Sequence, residues 1–135
     1  MSDYIDEKTL EDGSVLLFLK HRFVKNPTQA NMISILSCLR DSKVFVPMTE
    51  EMKPTSIQDG EYYYLPIFSN EEQIPEKYGS QFAVIKISVL ECLSMAKSYE
   101  NIYGLILDPF TEKVILVYAL ADMIPKISSK LAPKE

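Results

Sequence analysis

Between Asn26 and Pro47 the chain reads NPTQANMISILSCLRDSKVFVP, and within it Met32, Ile35, Leu36 and Leu39 recur at i, i+3, i+4 and i+7. That spacing places four apolar side chains on one face of a helix turned toward a core. Asn26 reads as its N-cap and Pro27 as its first helical residue, where proline's missing N–H costs nothing. A similar periodicity precedes it: Val15, Leu16, Leu19 and Phe23 mark one face of a first helix in GSVLLFLKHRFV. The pattern then changes to KVFVP, a short strand closed by Pro47, because proline cannot donate to a ladder.

The polar stretch MTEEMKPTSIQDG, with Asp59-Gly60 as its turn signal, separates this strand from EYYYLPIF, which its aromatics mark as β. Pro66 inside that run indicates an edge or an irregularity. SNEEQIPEKYG opens with Ser69 and carries Glu72 three residues later, the spacing of a capping box for a short helix. Ser88 and Glu91 repeat the spacing where the strand FAVIKI runs into ISVLECLSMAKSY, whose buried stripe is Val89, Leu93 and Ala96. IYGLILDPFTEKVILVYA predicts a β-hairpin, with Pro109 in the second position of a type I turn. Asp122 reads as the cap of a last helix, with Pro125 in its first turn and Ile124, Ile127 and Leu131 on its apolar face.

The predicted order is α, α, β, β, α, β, α, β, β, α. Local hairpins mixed with helical crossovers give an α+β fold: a mixed sheet of about five strands with helices on its faces, then a C-terminal hairpin and a short helix. The 135 residues make one domain, 1–135. Its ends, about 1–12 and 128–135, are expected to be weakly ordered.

Composition narrows the function classes. Apolar residues are 47% and charged residues 24%, ordinary globular usage that excludes disorder for the whole chain. The net charge is −5 and the only arginines are Arg22 and Arg40. Phosphate recognition needs concentrated cations, so no nucleic-acid partner is expected. The one basic cluster, KHRFVK from Lys20 to Lys25, reads as a solvated helix end whose cations favour the helix dipole. The acidic start lacks the apolar region of a secretory signal, and the run VLLFL is far shorter than the roughly 20 residues a bilayer span requires. Cys38 and Cys92 are unclustered and fit a reducing cytoplasm, where each serves as a small buried hydrophobe.

Candidate chemistry is sparse. His21, the single histidine, sits beside Lys20 and Arg22 with no nucleophile motif and reads as a surface residue. One histidine and two separated thiols leave no metal site, and Gly13, Gly60, Gly79 and Gly104 form no phosphate loop. No enzyme activity, cofactor or metal is expected.

Four stretches in order, NPTQANMISILSCLRDSKVFVP, YLPIFSNEEQI, VIKISVLECLSMA and YGLILDPFTEKVIL, together resemble the N-terminal domain of the SseB family, named for the enhanced serine sensitivity protein. They run from Asn26 to about Leu116. Asp108 stands where that family more often has Asn before Pro-Phe, and Ser69 where Thr is common; both replacements preserve turn or cap chemistry. The chain stops short of the second domain of the longer members. The resemblance implies a small cytoplasmic bacterial domain and brings no catalytic motif onto positions here.

The remaining signal is apolar surface. Alternation in EYYYLPIF puts Tyr63, Leu65 and Ile67 on one side and Tyr62, Tyr64 and Phe68 on the other; in KVILVY, Val114, Leu116 and Tyr118 oppose Ile115 and Val117. Both sheet faces are apolar, so whatever the helices leave bare is open to a protein partner or a second copy. Tyr62, Tyr64 and Phe110 at the hairpin tip are the candidate contact residues; Phe110 folded back onto the core is the other reading. A small-molecule sensor or enzyme is the alternative, holding an anionic metabolite on free N–H groups at Ser69 or Ser88. A second alternative is an acidic, immunity-type inhibitor that masks a basic surface.

Overall fold

A computed structural model describes residues 5–131 of the chain. The expected weakly ordered ends fall outside that range at 1–4 and 132–135. Inside it, Asp6 caps a short helix α1 (Glu7–Leu10), its carboxylate accepting from the Lys8 N–H at 3.0 Å, and Leu10 is buried. Residues 5–12 therefore belong to the fold. Ile5 also bridges to Leu131, tying the two ends together.

Helix α2 (Ser14–Lys25) is followed by α3 (Gln29–Arg40), whose Ile35, Leu36 and Leu39 are fully buried as their spacing requires. The cap of α3 is Thr28 rather than Asn26: the Thr28 hydroxyl accepts from the Asn31 N–H at 3.1 Å. Asn26 instead terminates α2, its N–H donating to the Arg22 carbonyl. Pro27 thus lies in the link between the helices.

The strands are β1 (Lys43–Met48), β2 (Ile57–Asp59), β3 (Tyr62–Ile67), β4 (Ala83–Ser88), β5 (Ile102–Leu107) and β6 (Val114–Val117). They form two ladders in place of one sheet of about five strands. β1 pairs antiparallel with β4, and a second, mixed sheet runs in the order β2-β3-β5-β6. The ladders are joined where Phe45 and Phe68 exchange two backbone hydrogen bonds of 2.9 Å. β1 does not end at Pro47, which pairs with Val84 and is followed by Met48. Pro66 lies inside the mixed sheet opposite Ile106, but β2 reaches along β3 only as far as Tyr64. There the β2 side of β3 is locally an edge, which is where a strand tolerates proline.

Helices α4 (Glu76–Gly79), α5 (Val89–Lys97) and α6 (Tyr118–Ala121) complete the α+β fold, with 3-10 turns at Glu71–Gln73 and Ile124–Lys126. Asp122 closes α6 at its C-terminal end and pairs with Lys97, so it does not cap a later helix. The expected last helix is the 3-10 turn, whose Ile124 is buried. One core unites Ile35 and Leu39 of α3, Val89 and Cys92 of α5, and Leu65, Ile67, Leu105, Leu107, Val114 and Leu116 of the mixed sheet. At about 25 cal/mol per Å2 of apolar surface removed from water, this layer supplies the main driving force for folding.

Candidate functional site

The second face of the mixed sheet is apolar, as the alternation predicts, but its cover is uneven. Tyr64 and Ile106 are buried on it at 5% and 1% exposure. The outer strands β2 and β6 are linked by an ion pair between Asp59, the last residue of β2, and Lys113, just before β6. At 5% exposure Tyr64 is withdrawn from the candidate contact residues: it is enclosed within the single chain and offers an outside partner almost nothing.

At the leading end of the parallel pair β3 and β5 the cover stops. Tyr62 and Tyr103 remain 47% and 48% exposed, with ring centroids 4.7 Å apart and planes inclined at 56°. An irregularity in pairing makes this contact. Between the pairs Tyr63–Ile102 and Leu65–Leu105, two steps along β3 match three along β5. The extra residue in β5 brings Tyr103 against Tyr62, whereas Ile102 and Leu105 both stay in the core. Val117 at the end of β6 is also open, and Tyr63, expected on the core side, is 41% exposed because it stands at the strand's start, outside the core cluster. Tyr103 escaped sequence reasoning; the neighbouring Gly104, a glycine inside a strand pattern, is the signal for such a bulge.

Phe110 combines its two predicted readings. One side of its ring stacks on buried Phe68 (centroids 6.2 Å apart, planes at 8°) and meets Tyr78 at 4.8 Å, yet the residue stays 46% exposed. Phe82 extends the cluster through Tyr78. This aromatic group lies at the trailing end of β3, opposite the tyrosine pair.

Ser69 does not form a capping box; its hydroxyl and N–H donate to Asp108, Oγ to Oδ2 at 2.8 Å and N to Oδ1 at 2.9 Å. Lys20 Nζ donates to the same Oδ2 at 2.7 Å. All three residues are buried. The anion held by Ser69 is therefore the chain's own carboxylate, and these donors are closed to a metabolite. Lys20 is correspondingly no part of a solvated helix end. It lies four residues after buried Leu16, on the inward stripe of α2, and that position is the clue to its burial. Gly13, with φ 77°, lets the start of α2 approach the Ser69 carbonyl. Asp108 takes a left-handed backbone (φ 49°) and accepts from the Thr111 N–H, closing the DPF turn.

Ser88 does cap α5, accepting from the Glu91 N–H at 3.2 Å, so its oxygen is already in use. His21 Nδ1 lies 3.0 Å from Glu112 on the surface. Both thiols are buried and free; burial raises the Cys38 thiol and pushes that of Cys92 up to about 12, with Glu91 adding to the latter. A cleft of about 550 Å3 beside α1 is lined by charges of both signs, including Glu7, Glu11, Lys43 and Lys86, and by none of the sequence-predicted site residues. Among the described residues, no three His, Cys, Asp or Glu side chains are grouped to hold a metal, and no helix is long and apolar enough to cross a membrane.

No protein-family model, curated protein or solved structure matches this chain.

Proposed function

We propose that this chain is a non-enzymatic protein-binding domain, cytoplasmic and bacterial like the SseB N-terminal domain it resembles, that docks a partner on the open end of its mixed sheet. The observation that carries this reading is the Tyr62–Tyr103 pair, two half-exposed rings in mutual contact beside exposed Val117. Tyrosine suits an interface because its ring buries area while its hydroxyl stays wet. Phe110 is a second contact point at the far end of β3, held in orientation by Phe68 and Tyr78.

Light scattering of the purified chain, alongside affinity capture from the native host, tests the proposal. Either a dimer or a captured partner is expected, and Tyr62→Ala combined with Tyr103→Ala should abolish it. A monomer whose captured partners all survive that double substitution would remove the reading.

A further inference from the structure

Charge around the open tyrosines identifies the partner's chemistry. β3 and β5 run parallel, so the residues that lead into them meet at one end of the sheet. Those residues include Glu61, directly before Tyr62, and Glu100, in the turn just before β5; both are exposed. Asp59, paired with Tyr62 across the β2–β3 hairpin, is neutralised by Lys113, and Lys97 is taken by Asp122. Among the described residues neither Glu61 nor Glu100 has an ion-pair partner. Two exposed carboxylates thus stand on the segments that lead into the strands carrying the two inclined rings, on a chain of net charge −5.

An aromatic face carries negative quadrupole density and attracts a cation placed over it. Arginine fits such a surface best, since its planar guanidinium stacks on a ring while its N–H groups reach carboxylates at the edge. We propose that the Tyr62–Tyr103 notch, with Glu61 and Glu100 beside it, receives an arginine-bearing basic segment of the partner protein. The proposal rests on the protein-binding reading above and adds the partner's class to it.

Titration of the full chain with a synthetic hexa-arginine peptide, followed through the tyrosine ring NMR signals, tests it. Hexa-glutamate serves as the comparison. Hexa-arginine should shift the signals that Tyr62→Phe and Tyr103→Phe identify, and hexa-glutamate should not. Tyr103→Ala should weaken binding about 3-fold or more, in line with a cation–π contact at an exposed site. Glu61→Gln with Glu100→Gln should weaken it similarly, whereas Glu71→Gln with Glu72→Gln, which changes net charge equally at the opposite end of β3, should leave it intact. Equal weakening by the two charge-matched pairs, or no shift of the two tyrosines, overturns the proposal. If a native partner needs Tyr62 and Tyr103 but ignores both glutamate substitutions and competing hexa-arginine, the basic-segment idea fails and the docking surface stands. If the partner ignores the tyrosines as well, both fail.

Discussion

Lys20 and Asp108 lie 88 residues apart in the chain, yet their charged groups meet at 2.7 Å in an interior that leaves their side chains 2% and 0% exposed. The pair fastens α2 to the DPF turn, and the two donors of Ser69 complete the coordination of the carboxylate. A buried pair of this kind is expensive to break from one side, because the orphaned charge stays in a poorly solvating interior.

Asp108→Ala is accordingly expected to cost about 3–5 kcal/mol through the stranded ammonium. Its left-handed φ of 49° adds roughly 1–2 kcal/mol once alanine must adopt it. Asp108→Asn keeps a residue that tolerates this backbone and one acceptor oxygen, but it removes the charge and turns the other oxygen into an NH2 donor facing a donor of Ser69 or Lys20. It therefore weakens the carboxylate's bonds without the backbone cost. Urea midpoints should rank the wild type above Asp108→Asn, and that variant above Asp108→Ala. Equal midpoints for all three would show that the pair contributes no stability.

Gly13, against Ser69, can be tested with Gly60, in the β2–β3 turn, as its comparison. Both have positive φ, 77° and 65°, so alanine at either should cost about 1 kcal/mol from the backbone alone. A β-carbon on Gly13 would also fall 2.2 Å from the Ser69 carbonyl oxygen, whereas one on Gly60 meets nothing within 4 Å. Gly13→Ala should therefore lower the denaturation midpoint well beyond Gly60→Ala. Matching losses would mean that α2 can slide away from Ser69 without penalty.

Local patterns in the sequence carried most of this fold. The stripe Ile35, Leu36, Leu39 is read directly from its spacing, and the Ser88 cap and the β5–β6 hairpin follow from residues adjacent in the chain. The errors arise where distant segments compete for one group. Ser69 and Glu72 have capping-box spacing, but Asp108 claims the serine. Lys20 stands among cations in the sequence and is buried only because the DPF turn brings it a carboxylate. The alternation of EYYYLPIF correctly assigned Tyr62 and Tyr64 to one face. It could not report that Tyr64 is covered while Tyr62, at the strand's start, stays half-exposed.

Thr28 and Asn26 are both competent caps, and substitution decides which of them α3 uses. Thr28→Ala removes the acceptor for the Asn31 N–H and should cost about 1 kcal/mol. Asn26 contributes through its backbone carbonyl, which accepts from the Asn31 side chain, so Asn26→Ala leaves that bond in place and should cost less than about 0.5 kcal/mol. Thermal melts of the two variants that come out in the reverse order would return the cap to Asn26.

Cys92 imposes a pH limit. In the unfolded chain its thiol titrates near 9, whereas in the fold burial pushes it up to about 12. Below pH 9 the thiol is protonated in both states and its contribution is complete. Between 9 and about 12 the unfolded chain ionises first, so stability falls as pH rises. Cys38, raised by the same cause, acts in the same direction. Native protein at pH 8 should resist a thiol-specific disulfide reagent and react at two thiols in urea. Its urea midpoint should drop between pH 8.5 and 10.5 more than that of Cys92→Ala. Prompt labelling of the native protein would place a thiol at the surface.

Tyr62 and Tyr64 lie two residues apart on one face of one strand, but only Tyr64 is buried. Tyr64 is 5% exposed, so Tyr64→Ala empties a buried aromatic site and should cost about 3–5 kcal/mol. Tyr62 and Tyr103 each keep almost half their surface in water, and truncating either gives up mainly the contact between the rings. With the buried half of each ring counted, that loss should be about 1–2 kcal/mol. Removal of this aromatic pair should therefore move the denaturation midpoint far less than removal of Tyr64, which is the behaviour expected of side chains that serve contact with another molecule. Urea unfolding of Tyr62→Ala, Tyr103→Ala and Tyr64→Ala measures all three. If the first two destabilised the chain as much as the third, the pair would be part of the folding core and the docking surface would lose its physical basis.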